Sequence, residues 1–144
     1  MTMPPEERLG LHLKRAEQEL MAAKTAAVRP AGLTVPQYAA LFALADSPGI
    51  SSAGLARACL VTPQAMTLLL RNLEEAGLVE RSPNPWHKGL LEVRLTENGR
   101  EVLTRADVRA VAVEQALAAE FSQSERDQLV ELLGRCARVL NARR

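Results

Sequence analysis

The sequence predicts a mainly α-helical protein with one short β-hairpin, and three observations carry that prediction. Apolar residues make up 47% of the 144 residues but aromatics only 3%, so Ala and Leu dominate, and they favour helix over sheet. Apolar positions recur at helical spacing along most of the chain. One stretch, residues 80–96, breaks the pattern with two prolines, a glycine and an alternating tail.

The elements follow in order. Pro4, Pro5, Glu6 and Glu7 read as a helix start, with the acids at the positive end of the helix dipole. Leu9, Leu13, Ala16, Leu20, Ala23 and Ala27 then form one apolar face, and residues 29–32, Arg-Pro-Ala-Gly, end the helix. Thr34 and Gln37 have capping-box spacing ahead of a helix through Tyr38, Leu41, Phe42 and Ala45. Residues 46–49, Asp-Ser-Pro-Gly, stop it. Ser51 and Ser52 cap a short helix, about residues 52–60, with Leu55, Ala56 and Cys59 inward. Thr62 and Pro63 pair an N-cap hydroxyl with proline in the first helical position. Met66, Leu69, Leu70 and Leu73 mark the buried stripe of that helix, and Gly77 stands where a C-terminal cap belongs.

Residues 78–81 can form a strand, and Leu91, Val93 and Leu95 alternate with Glu92 and Arg94 as a half-buried second strand does. Residues 83–89 form the loop between them, with Trp86 packing near its base or contacting backbone, or standing exposed as an anchor for DNA or a ligand. Helix resumes at Thr96, with Leu103, Ala106, Ala110, Val113 and Leu117 on its apolar face. Ser122 and Glu125 form a second capping box. Leu129, Leu132, Leu133, Cys136, Val139 and Leu140 share one face of the last helix. There is no internal repeat.

Short helices, a hairpin and long terminal helices, in this order, suggest a winged helix-turn-helix held between dimerising helices. The expected division is an N-terminal dimerisation helix (1–32), a DNA-binding domain (33–104) and C-terminal dimerisation helices (105–144). In the helix after Thr62, the buried stripe leaves Pro63, Gln64, Thr67, Leu68 and Arg71 on the opposite face. In a helix-turn-helix that face enters the major groove. Gln can pair with adenine, Thr can touch a thymine methyl, and Arg can pair with guanine or a phosphate.

Residues 33–104 resemble the MarR family of transcription regulators. The resemblance rests on Leu33-Thr34, Leu55-Ala56, Val61-Thr62-Pro63, Leu73-Glu74, Gly77-Leu78-Val79, Arg81, and Leu95-Thr96 followed by Gly99. It implies a homodimer acting on a pseudo-palindromic double-stranded operator, as a repressor released by a small aromatic effector. By the same resemblance, Thr62, Pro63, Gln64, Thr67, Leu68 and Arg71 form the recognition helix, and Arg81, His87 and Lys88 the wing contacts. The effector crevice would take its polar groups from His12, Arg15 and Tyr38. Two positions depart from the family pattern. An acid-and-arginine wing tip is replaced by His87-Lys88-Gly89, and Leu68 stands where a polar residue is usual.

Other observations bound the function. Net charge is +1, and in residues 33–104 acids slightly outnumber cations, so a modest salt dependence of DNA binding is expected. Two His and two distant Cys match no metal site or disulfide spacing. No cofactor and no enzyme activity are expected, because no nucleophile–base constellation or phosphate loop appears. The start of the chain lacks a signal layout and no apolar run has membrane length, so a cytoplasmic protein with no membrane partner is expected. Cys136 is expected at a dimer interface. Two further readings stay open: a dimeric winged-helix interaction module with weak or no DNA binding, and a thiol-based oxidant sensor acting through Cys59.

Overall fold

Side-chain caps decide where most of the helices begin. The computed structural model describes residues 2–87, 89 and 91–144. A 3-10 turn, Pro5–Glu7, precedes helix α1 (Leu9–Val28), so the predicted start at the two prolines is a separate turn. A second 3-10 turn, Arg29–Ala31, closes α1 with Gly32 in the left-handed region. Helix α2 (Val35–Asp46) opens on the predicted box: Gln37 N–H donates to Thr34 Oγ1, and Thr34 N–H to Gln37 Oε1. Helix α3 (Ser52–Ala58) starts at Ser51, whose hydroxyl accepts from Gly54 N–H, and ends two residues sooner than expected.

Helix α4 (Pro63–Glu75) starts at Thr62, whose hydroxyl accepts from Ala65 N–H at 3.1 Å. It ends with Gly77 at φ +72°, while Leu78 N–H donates back to Leu73 C=O at 2.9 Å. That six-to-one bond is the Schellman closure, and it needs a residue tolerant of the left-handed region at Gly77. Strands β1 (Val79–Pro83) and β2 (Leu91–Leu95) form an antiparallel hairpin with Val79 opposite Leu95 and Pro83 opposite Leu91. Pro83 therefore ends a strand, where the missing N–H is tolerated at a sheet edge. Helices α5 (Glu97–Ala119) and α6 (Gln123–Asn141) complete the chain, α6 opening on the Ser122–Glu125 box.

Thr96 joins three of these elements. Its hydroxyl donates to Gly77 C=O at 2.6 Å and accepts from Gly99 N–H at 3.0 Å, and its own N–H donates to Leu78 C=O. One residue thus caps α5, ties down the end of α4 and closes the base of the hairpin.

The chain divides into two compact units, the first ending at Ala110 and the second Val111–Arg144. The core of the first unites Leu41 and Leu44 of α2, Leu55 of α3, Met66, Leu70 and Leu73 of α4, Val93 and Leu95 of β2, and Val102, Leu103 and Ala106 of α5. Fully burying a side chain of this size contributes about 1.5–3 kcal/mol. Leu69 packs against this core only partly, while Phe42 and Ala45, expected on the apolar face of α2, are exposed. The pitch of α2 carries Phe42 away from the core that Tyr38 and Leu41 enter. In the second unit, Arg126 Nη1 donates to Ala118 C=O across the turn into α6. Among the described residues no single helix is long and apolar enough to cross a membrane.

Candidate nucleic-acid interface

The outer face of α4 is built by what the inner face buries. Met66, Leu70 and Leu73 are fully enclosed, which leaves Pro63, Gln64, Thr67, Leu68 and Arg71 exposed. The axes of α3 and α4 turn through 107°, within the range of about 90–120° for helix-turn-helix pairs. The turn between them holds Leu60 at φ +57° and 92% exposed. Val61 N–H donates to Ala56 C=O at 3.0 Å, so α3 closes as α4 does, with leucine at the left-handed position. A non-glycine residue there costs roughly 1–2 kcal/mol. The sequence offered no glycine or asparagine to mark this turn.

The hydroxyl of Thr67 donates to Pro63 C=O at 2.9 Å. It is committed as a donor to its own helix, so Thr67 presents a methyl and acceptor lone pairs outward. Leu68 is 56% exposed beside it, which adds apolar surface suited to a thymine methyl.

The hairpin flanks this face. A groove of about 600 Å³ runs between α4 and the wing, lined by Thr67, Arg71, Glu74, Glu80, Arg81 and Leu91. Arg81 belongs to the hairpin face that also carries the buried Val79 and Val93. Its Nε lies 3.1 Å from Glu74 Oε2. The contact is an ion pair without hydrogen-bond alignment, since the same Nε has no acceptor in line with its N–H. Arg81 therefore braces the wing against α4, a role its strand position alone did not reveal.

The wing turn is ordered by Asn84. Its Oδ1 accepts from the N–H groups of Trp86, at 2.8 Å, and His87, at 3.2 Å. Its Nδ2 donates to Glu92 Oε1, and Glu92 Oε2 is held by Arg94 Nη2 at 2.7 Å. Trp86 is 87% exposed. The indole thus does not pack at the wing base and takes the exposed alternative, on a turn that the side-chain amide of Asn84 shapes. His87 is exposed as well. Lys88 lies outside the described residues.

The residues assigned to an effector crevice are placed differently from one another. Tyr38 is buried in α2, and its hydroxyl donates to Asp107 Oδ1 of α5 at 2.6 Å. His12 and Arg15 are exposed on α1. A smaller cavity of about 280 Å³ lies elsewhere, between α2, β2 and α5, with Arg94 and Arg100 at its edge. Cys59 is half-buried, and burial pushes its thiol up, away from the reactive thiolate form. Among the described residues no three His, Cys, Asp or Glu side chains gather to hold a metal ion.

Comparison with known proteins agrees with this architecture. The MarR family model matches residues 31–88. The HTH-type transcriptional repressor Rv2887 of Mycobacterium tuberculosis is 38% identical over 137 residues, covering 93% of this chain and 99% of that protein. Its crystal structure with salicylic acid superposes with a TM-score of 0.69 at 35% identity, over the same 93% and 99% of the two chains. The transcriptional repressor CouR bound to a 23-mer DNA duplex gives a TM-score of 0.80 at 30% identity, covering 92% of this chain and 94% of that one. This chain belongs to the MarR family of winged-helix transcription regulators.

Proposed function

We propose that the protein is a transcriptional repressor that binds a pseudo-palindromic double-stranded operator as a homodimer and is released by a small aromatic acid. The observation that carries the reading is the outer face of α4. Five residues competent for base or phosphate contact stand exposed on a capped helix that crosses α3 at 107°. Gln64 and Arg71 supply bidentate hydrogen bonding, Thr67 and Leu68 supply methyl contact, and Pro63 with the Thr62 cap brings the helix N-terminus towards phosphate. Arg81 positions the wing, and His87 and Lys88 are assigned to its DNA contacts.

The homodimer is supported by apolar side chains that a single chain leaves uncovered: Leu9 and Leu11 in α1, and Leu129, Leu132, Leu133, Val139 and Leu140 in α6. The effector is supported by the relative solved with salicylic acid. His12, Arg15 and Tyr38 are assigned to its recognition. Effector and DNA would oppose one another by linkage, each weakening the other's binding by the same factor.

Anisotropy titration against duplexes selected from a random pool tests the reading. Gln64→Ala and Arg71→Ala each weaken the selected duplex by roughly 1–3 kcal/mol, and salicylate lowers wild-type affinity. The slope of log affinity on log salt is shallow, because few phosphates are neutralised at about 0.9 each. Failure to recover any duplex at low salt, with both variants indistinguishable from wild type, would leave a winged-helix module that binds something other than DNA.

A further inference from the structure

Among the described residues no hydrogen bond or ring contact engages the indole of Trp86. It is 87% exposed, although an aromatic side chain that size is worth burying. Its backbone is far from loose. Asn84 accepts from the N–H groups of both Trp86 and His87, Glu92 holds Asn84, and Arg94 holds Glu92. Four side-chain hydrogen bonds thus fix a turn whose outward product is a bare indole. A single exposed apolar side chain is ordinary in itself; what sets this one apart is the hydrogen-bonded turn that holds its backbone in place.

The position of that turn limits what the ring can meet. Pro83 and Leu91 form the outer end of the hairpin, and Val79 and Leu95 its base beside Leu78. The strands carry the tip about 13 Å out from the base, at roughly 3.3 Å per residue. With α4 in a major groove, the adjacent minor groove lies about 17 Å along the duplex axis, half of one turn. The hairpin and a tryptophan side chain together are comparable in length to that separation. The minor groove is about 6 Å wide, and its floor offers only acceptors at A·T pairs, whereas G·C pairs add an amino group. An indole presents a flat ring and one N–H donor.

We propose that Trp86 is the minor-groove reader of the wing, with the indole edge entering the groove and Nε1–H donating to the acceptors of A·T pairs flanking each half-site. It does this work at a wing tip where Gly89 offers no side chain. The inference rests on the DNA-binding reading above, and it makes Trp86 a specificity determinant that the family pattern does not contain. Tryptophan prefers A·T here for a steric reason: the guanine amino group stands up from the groove floor and blocks the ring's approach to the acceptors beside it.

The test uses the full-length protein and a duplex selected from a random pool. Trp86 is the only tryptophan in the chain, so its fluorescence reports this one site. On binding, wild-type emission is expected to shift and become protected from acrylamide. Trp86→Ala is expected to weaken the duplex about tenfold with an unchanged thermal melt, since so exposed a side chain stabilises little. Exchanging flanking A·T pairs for G·C weakens wild type but leaves Trp86→Ala unaffected, and inosine·cytosine, which lacks the amino group, restores wild-type binding. Trp86→Phe retains part of the affinity and loses most of the A·T preference. The inference is overturned if the duplex binds in an Arg71-dependent way while Trp86 stays open to acrylamide. It is overturned equally if Trp86→Ala loses the same factor on every flanking sequence. Absence of any DNA binding would overturn the functional proposal as well, and the labelled duplex distinguishes that outcome from the first two.

Discussion

Gly99 shows how a single residue can be fixed by backbone rather than by side-chain chemistry. It lies in the first turn of α5, buried against Leu78, and a Cβ built there would collide with the Leu78 carbonyl oxygen. In an unencumbered helix, Gly→Ala stabilises by about 1 kcal/mol. Here the sign reverses, because the Leu78 carbonyl is already held by Thr96 N–H and cannot retreat. Gly99→Ala is expected to destabilise by about 1–3 kcal/mol, the usual cost of overpacking, read as a lower urea midpoint. An unchanged or raised midpoint would show that the contact yields. The sequence made Leu95, Thr96 and Gly99 visible as a pattern, but its physical content is the junction of α4, the hairpin and α5. Residue-scale contacts of that kind stay hidden wherever partners are distant in sequence. Tyr38 with Asp107 is one case and Arg81 with Glu74 another, since each pairing depends on how elements cross. The sequence leaves Trp86 between packing and exposure, and only the Asn84 hydrogen bonds reveal the turn that exposes it.

At the scale of the element, local chemistry was the most legible. The boxes at Thr34 and Ser122 and the cap at Thr62 form as read, because each closes within three residues and needs no tertiary partner. Helix ends and strand limits were less legible. α3 ends at Ala58 through a left-handed Leu60 that no turn-forming residue announces, and β1 runs on into Pro83. The Ser122 box has a pH signature. Glu125 N–H donates to Ser122 Oγ, and Ser122 N–H to Glu125 Oε1 at 2.9 Å. The bond from the Ser122 backbone, then that from its side chain, lowers the Glu125 carboxyl below its ordinary range. A carboxyl lowered in the folded state contributes fully above its unfolded pKa and loses that contribution as pH falls through the folded value. Helical signal from α6 is therefore expected to weaken on the acid side in wild type. Glu125→Gln keeps a box-competent side chain and flattens that limb, while Ser122→Ala costs about 1 kcal/mol at neutral pH. Matching acid limbs in wild type and Glu125→Gln, followed by circular dichroism, would remove the carboxylate from the account.

At the scale of the whole molecule, the distribution of burial argues for assembly. The 19 residues of α6 include none that is buried, and of the 20 in α1 only Ala27 and Val28 at its end are. Most helical stability in proteins comes from packing an apolar face, yet α6 keeps Leu129, Leu132, Leu133, Val139 and Leu140 exposed on the stripe that sequence periodicity identifies. Such a stripe is legible in sequence as a buried face; what covers it is not, because periodicity is the same for a core and for an interface. The first unit, by contrast, closes a core of its own around Leu41, Leu70 and Val93. In the proposed homodimer a second copy covering the α6 stripe would make stability depend on concentration, so the thermal midpoint is expected to rise with protein concentration. Leu133→Glu puts a charge on that stripe, and Leu133 is not among the residues of the first unit's core. It should halve the sedimenting mass while leaving the first unit folded. A repressor dimer gains its operator affinity by holding two recognition helices together, and a second tethered contact is worth about 10²–10⁴ in apparent affinity. The variant should accordingly lose at least about 100-fold on a two-half-site duplex and almost nothing on a single half-site. Retention of dimer mass by Leu133→Glu, or equal losses on both duplexes, would move the interface away from α6 and require α1 to supply it.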